Sequence, residues 1–438
     1  MLEADDAKLE SYVVAKLTWR LMPFLFLLYI VAYLDRINVG FAALQMREEL
    51  GFNDAVYGLG AGMFFAGYFV FQVPSNLILM RVGPRRWISV LMVVWGLISS
   101  ATIFVRSAHS FYALRFLLGL AEAGFFPGMI VYLKSWFPAR ARARTVARFM
   151  TAAPLSGVVG GPISGGLLSL HHIGGLSGWQ WLFLVEGLPA ILLGVVVLFF
   201  LEDTPKNANW LNSDQREWLA AELRREHATT GETRNRNPLA AFSRLFLWIL
   251  ALVYFGLNSC SYGISLWLPS VIHRLSMVGN FAVGALSTIP YIAAALAMVL
   301  VGLHADKTGA HRGHVATAAI TGALALFCAA YSTSVFTAIT SLSIAMLGVF
   351  AMVGPFWAIP TTALGTREAP VGIAFINSLG NLGGFFGPYI IGLLKNSTGE
   401  FKGGLLVVGL TLAVSGCLVL LPSIPSGRAQ GVKQQAVH

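Results

Sequence analysis

Charge is scarce in this sequence. Only 11% of its 438 residues are Asp, Glu, Lys or Arg, against about 25% in soluble globular chains. With 56% hydrophobic residues and a mean hydropathy of +0.70, it could not clothe two or three soluble domains in water-compatible surface. That excludes a soluble enzyme, a secreted scaffold and a disordered regulator. Cysteine is scarce too: Cys260, Cys328 and Cys417 sit in apolar stretches, at spacings that make neither a disulfide framework nor a zinc site. The first sixteen residues lack a cleavable signal-peptide pattern. No Lys-Ser/Thr pair follows any glycine string, so no phosphate-binding loop is expected. The spans carry no nucleophile–base or metal constellation, and the His171-His172 pair has no further ligands beside it. Neither an enzyme nor a bound cofactor or metal is expected.

What is abundant is apolar length. Runs of about 20 apolar residues, enough to cross the hydrocarbon core, recur at 17–43, 55–80, 86–105, 109–136, 143–170, 179–201, 243–272, 280–304, 313–332, 334–360, 369–396 and 401–423. In lipid such runs must be helices, since no other long apolar segment satisfies its own backbone. The expected architecture is all-α: a tail (1–16), six spans (17–201), a polar central loop (202–242), six spans (243–423) and a second tail (424–438). Within the loop, Ser213 to Leu223 reads as a short amphipathic helix capped by Ser213 and linking the two bundles.

The net charge of +10 follows from topology. If both termini are cytoplasmic, 23 of the 30 Lys and Arg fall on that side, five (Arg47, Arg106, Arg274, Lys395, Lys402) on the other, and Arg36 and Arg115 inside spans. This is the positive-inside bias, and it removes any need for a nucleic-acid partner. The loop Met80-Arg81-Val82-Gly83-Pro84-Arg85-Arg86 returns as Asp306-Lys307-Thr308-Gly309-Ala310-His311-Arg312, 226 residues later, and the same offset carries Gly157–Pro162 onto Gly383–Pro388. Two unrelated features sharing one offset imply two homologous halves, which places a substrate site between them near the midplane. The glycine strings read as close helix contacts, and Pro127, Pro162 and Pro388 as bends.

An ionised side chain at mid-bilayer costs about 2.5–3.5 kcal/mol or more, so Asp35, Arg36, Arg115, Glu122 and Glu186 each require a reason. Asp35 and Arg36 are adjacent and point about 100° apart on a helix. Arg115 and Glu122 share one stripe two turns apart. The natural arrangement pairs Asp35 with Arg115 and leaves Arg36 free for a substrate carboxylate, which its planar fork suits. Glu122, poorly solvated among Gly124, Phe125 and Phe126, is placed to exchange protons. Alternatively, these charges lock spans one and four together as buried ion pairs. Glu186 reads as a structural hydrogen-bonding group of the first half. Tyr33 shares a face with Arg36; Tyr68 and Gln72 are one turn apart; Asn377 and Asn381 share a stripe with Gly384. These, with Trp357, are the candidate substrate-binding residues, and Ser259, Tyr262 and Trp267 are further candidates.

Gly302, Asp306, Lys307 and Gly309 resemble the loop signature of the major facilitator superfamily; the first-half copy, with Arg81, Gly83 and Arg85, has Asn76 and Met80 where the signature has glycine and an acid. The strings Tyr33-Leu34-Asp35-Arg36-Ile37-Asn38, Arg115 through Glu122 to Gly128, and Gly178 to Gly187 resemble the anion:cation symporters of that superfamily, whose bacterial members take up organic acids with protons. The resemblance implies that Asp35 and Glu122 are protonation sites, that Arg36 contacts the anion, that Arg115 couples to Asp35, and that Tyr68 lines the pocket. It also implies a monomer in the bacterial inner membrane. The run Asn377 to Gly384 resembles the tartrate, phthalate and hydroxyphenylacetate branch more than the sugar-acid one. Tyr262 stands where the repeat would place a second Arg36, which counts against an organophosphate antiporter with a two-arginine clamp. The expected function is proton-coupled import of a small organic anion, with exchange or ligand sensing as alternatives.

Overall fold

A computed structural model describes residues 2–231, 244–364 and 368–424. The first half runs α1 (Leu2–Ile37), α2 (Val39–Glu49), α3 (Asp54–Val82), α4 (Pro84–Ala101), α5 (Ala108–Glu122), α6 (Phe125–Trp136), α7 (Ala139–Met150), α8 (Ala152–Leu168) and α9 (Gly178–Phe200). The linker helix α10 (Ser213–Gly231) follows. The second half is α11 (Leu245–Ser276), α12 (Asn280–Thr308), α13 (His311–Ala330), α14 (Val335–Ala363), α15 (Glu368–Thr398) and α16 (Lys402–Leu418). Spans one, four and five are each broken into two helices, α1/α2, α5/α6 and α7/α8, which brings the total to twelve spans. Among the described residues, nine stretches are long and apolar enough to cross a bilayer by length and composition alone; α8, α15 and α16 complete the set.

Two local expectations are corrected. Residues 2–16, expected as a tail, continue α1 as helix. The cap of α10 is Asn212, not Ser213: Asn212 Oδ1 accepts from the Gln215 amide at 2.8 Å while Gln215 Oε1 accepts from the Asn212 amide at 3.2 Å. Pro127 lies in the first turn of α6, four residues after Ala123, so its missing N–H leaves the Ala123 carbonyl without an i+4 donor at the irregularity of span four. The linker helix α10 lies on the first half, buries Leu219, and is tied by Gln215 to Lys16 at 3.1 Å and by Glu226 to Arg142 at 2.7 Å. The expected loop from 232 to 242 and the C-terminal tail after 424 lie outside the described residues.

The repeat is visible in what the loop arginines hold. Arg85 Nε donates to the Leu198 carbonyl at 3.1 Å, capping α9. Arg312 donates to the carbonyls of Val419, Leu421 and Ile424 at 3.0, 2.8 and 2.9 Å, capping the end of span twelve. Each thereby satisfies carbonyls that a helix end leaves open. Gly83 at φ +87° and Gly309 at φ +64° make the turns ahead of these arginines, a backbone region that favours glycine. Arg81, Asp306 and Lys307 are exposed on the same face as the linker.

On the opposite face the halves close on each other. Tyr57 Oη donates to the Leu266 carbonyl at 2.7 Å, Lys395 Nζ to Asp54 Oδ1 at 2.7 Å, and Arg47 pairs with the same Asp54 oxygen. A Cβ on Gly284 would come within 2.1 Å of the Gly161 carbonyl oxygen across the seam, and one on Gly161 within 2.5 Å of that of Gly284. The glycine string of span five therefore serves contact between halves, whereas Gly383 and Gly387 seat span eleven on the backbone of α11. A Gly284→Val substitution should wedge this face apart. Its expected signature is activity reduced at least tenfold, with a normal gel-filtration profile and Tm within a few degrees of the parent.

Candidate substrate and proton site

The charges lie beside two local irregularities of the spans. That of span one is at Asn38, two residues after Arg36, and that of span four at Ala123-Gly124, directly after Glu122; Asn38, Ala123 and Gly124 all keep right-handed helical dihedrals. Gly124 permits the second irregularity to lean on α3, since a Cβ there would fall 1.8 Å from Ser75 Oγ.

Arg36 is the centre of the arrangement. It is buried, its Nη2 pairs with Glu122 Oε1, and its Nη1 donates to Tyr262 Oη at 2.8 Å. Arg36 and Tyr262 are the two residues that the 226-residue repeat makes equivalent, so the pseudo-twofold axis passes between them. The rings of Phe64, Tyr68, Tyr33 and Tyr262 surround the guanidinium, with centroids 5.4, 5.5, 5.8 and 6.0 Å from its carbon. Such faces favour a cation. Glu122 has no exposure, and its second oxygen, Oε2, has no hydrogen-bond partner.

The expected pairing of Asp35 with Arg115 is not formed, and Arg36 is not free. Asp35 turns toward span three instead. Its Oδ2 accepts from Trp95 Nε1 at 3.1 Å and its Oδ1 from Ser99 Oγ at 2.8 Å, with Asn38 Nδ2 at 3.4 Å. Three neutral donors satisfy this carboxylate without any cation. Trp95 and Ser99 stand four apart, one above the other on α4, a spacing that marks a shared polar face inside an apolar helix. Arg115 is 1% exposed and none of its three guanidinium nitrogens has a hydrogen-bond partner; it lies over the Phe64 ring at 5.1 Å, within electrostatic range of both Asp35 and Glu122. Of the two ion pairs that could join spans one and four, only Arg36–Glu122 is formed.

Glu186 makes a hydrogen bond inside the first half: Ser164 Oγ donates to its Oε1 at 2.7 Å. Asn38 also reaches it, so Asp35, Asn38, Glu186 and Ser164 form one polar cluster. Replacing Ser164 by Ala should cost roughly 1–3 kcal/mol, the usual penalty for leaving a buried polar group unmet, measured as a lower Tm with activity unchanged.

From the second half, Ser378 Oγ donates to Gln72 Oε1 at 2.9 Å across the seam, one residue from Asn377. Asn381 is buried and Asn377 half-buried on the same helix, and Gly384 packs on Phe65. Trp357 is half-buried against Tyr254, with ring centroids 5.0 Å apart. Ser259 is turned to its own helix, donating to the Phe255 carbonyl at 2.8 Å. Trp267 belongs to the closed face: its Nε1 donates to the Pro388 carbonyl at 3.0 Å and its ring packs edge-on to Tyr57. Sequence reasoning missed Ser378, Trp95 and Ser99, and placed Tyr262 in the pocket without seeing that it bonds Arg36.

Two six-span halves with a buried arginine–carboxylate pair that meets Tyr262 of the second half have the build of a transporter with its site between the halves. The chain belongs to the Major Facilitator Superfamily, whose model matches residues 25–388. It is 49% identical to a protein of Agrobacterium vitis named as a tartrate transporter, across 95% of this chain and 96% of that one. It is 41% identical to the metabolite transport protein NicT of Pseudomonas putida (93% and 92% covered) and 39% identical to a quinolone resistance transporter of Acinetobacter baumannii (98% and 98%). Its fold matches the D-xylose–proton symporter with a TM-score of 0.75 at 13% identity, over 94% of this chain and 98% of that one. The protein is a multi-pass membrane transporter of organic solutes and not an enzyme.

Proposed function

We propose that this transporter is a proton-coupled symporter that imports a small organic anion across a bacterial inner membrane, with the linker face and both termini cytoplasmic. The charge bias of the loops supports the orientation, under which the described state is shut on the outside. A carboxylate substrate suits the site, and the relatives named for tartrate favour a hydroxy-dicarboxylate over aromatic or sugar acids.

The observation that carries this reading is that Glu122 occupies Arg36. A substrate carboxylate needs the same guanidinium fork, so substrate and Glu122 compete for it. Protonating Glu122 cancels its claim and exposes Arg36 to the anion, and release of the anion inside lets Glu122 shed its proton and re-form the pair. Coupling then follows from competition for one cation. Arg115, buried without a partner, is held ready for Asp35 in another state of the cycle, where Asp35 leaves Trp95 and Ser99. Tyr33, Tyr68, Gln72, Trp357, Asn377 and Asn381 complete the pocket around the substrate. If two protons accompany a monoanion, each 100 mV of membrane potential adds about 2.3 kcal/mol per charge.

The test is proton flux in liposomes enclosing a pH dye, with tartrate, phthalate and galactonate added singly from outside. Acidification with one acid, absent from empty liposomes, identifies symport and the substrate class together. Counterflow of labelled acid without acidification would establish exchange in its place.

A further inference from the structure

At the closed face the halves leave a cavity of about 420 Å³, remote from Arg36 and lined among others by Arg47 of α2, Ser270, His273 and Arg274 at the end of α11, and Lys395 of α15. Its charges are unevenly matched. Asp54 is shared by two cations, accepting from Lys395 Nζ at 2.7 Å and pairing with Arg47. Arg274 Nη1 meets only a neutral acceptor, the Gly399 carbonyl at 2.6 Å, and Glu48 is the one acidic residue in the lining. Two buried polar atoms of the lining residues lack any partner. They are Arg47 Nε and the hydroxyl of Ser270, a residue only 8% exposed.

Unpartnered donors among clustered cations form a built anion site. We propose that this cavity is a second anion-binding site, which takes a small dicarboxylate between the two halves. Arg274 and Lys395 receive one carboxylate, Arg47 Nε and the Ser270 hydroxyl the other. Because the anion draws Arg47 and Lys395 away from Asp54, and Asp54 with Lys395 spans the seam, occupancy loosens the latch on this face. The site shares no residue with the Arg36 centre, so binding here stands whether or not that centre couples protons.

Malonate is the probe, a dianion without hydroxyls, titrated calorimetrically into the purified full-length protein. Two classes of site are expected. Arg274→Gln should weaken one class at least tenfold and leave the other, while Arg36→Lys should do the reverse; Ser270→Ala should weaken the Arg274-dependent class several-fold. Asp54→Asn removes the competing carboxylate and should tighten that class threefold or more, which mere loss of structure would not do. Absence of any Arg274-dependent class in the parent protein, that is, Arg274→Gln leaving every class intact, overturns the site. Weaker malonate binding by Asp54→Asn overturns the competition. If the class lost in Arg36→Lys is absent while the Arg274-dependent class persists, the central reading fails and this one stands.

Discussion

Glu122→Gln should abolish accumulation driven by a pH gradient, to below about a tenth of the parent rate, while counterflow exchange of the same acid survives. The amide keeps the shape of the carboxyl and an oxygen for Arg36, but it neither carries the competing charge nor takes a proton. Arg36 is then permanently open to the anion. In the parent protein, apparent affinity should rise as pH falls, because each proton placed on Glu122 frees Arg36; in the variant affinity should be tighter at high pH and flat across the range. Binding measured between pH 5 and 8 on both proteins checks the sign. A variant that still accumulates acid as the parent does would falsify the competition mechanism.

Arg36→Lys should raise the dissociation constant for the acid by at least about 30-fold. An ammonium keeps the charge but loses the fork that meets a carboxylate with two parallel bonds, and truncating one side of a buried charged pair typically costs about 2–5 kcal/mol. Tyr262→Phe removes only the 2.8 Å bond that orients the guanidinium, and a threefold to tenfold loss is expected there, consistent with about 0.5–1.5 kcal/mol for one hydrogen bond. Equal losses for the two variants would show that Arg36 positions the helices without touching substrate. Isothermal titration with the acid identified by proton flux separates these outcomes.

Much of this was written in the chain. Twelve apolar runs, the duplicated loop and glycine string, and the cationic bias of alternate loops follow from composition and spacing, because crossing a bilayer imposes a fixed length and a helical backbone on any sequence. The short list of consequential residues was legible for the same reason: Asp35, Arg36, Arg115, Glu122 and Glu186 stand out because a charge in lipid is costly.

The pairing of those charges was not legible. Asp35 and Arg36 point about 100° apart on one helix, so each must find a different neighbour, and spacing along the chain says nothing of which helices those are. The tertiary structure chose span three for Asp35, where Trp95 and Ser99 supply neutral donors, and span four for Arg36, where Glu122 supplies charge. It thereby left Arg115 alone and placed Tyr262 across the axis from Arg36. Likewise Trp267, polar-tipped and mid-helix, reads as a pocket residue until α15 is packed against it. Sequence by itself determined that this protein spans a membrane twelve times in two repeated halves with buried charges between them. Which charge holds which, and which face is shut, depends on how helices distant in the chain turn toward one another, a choice made by packing and not by period.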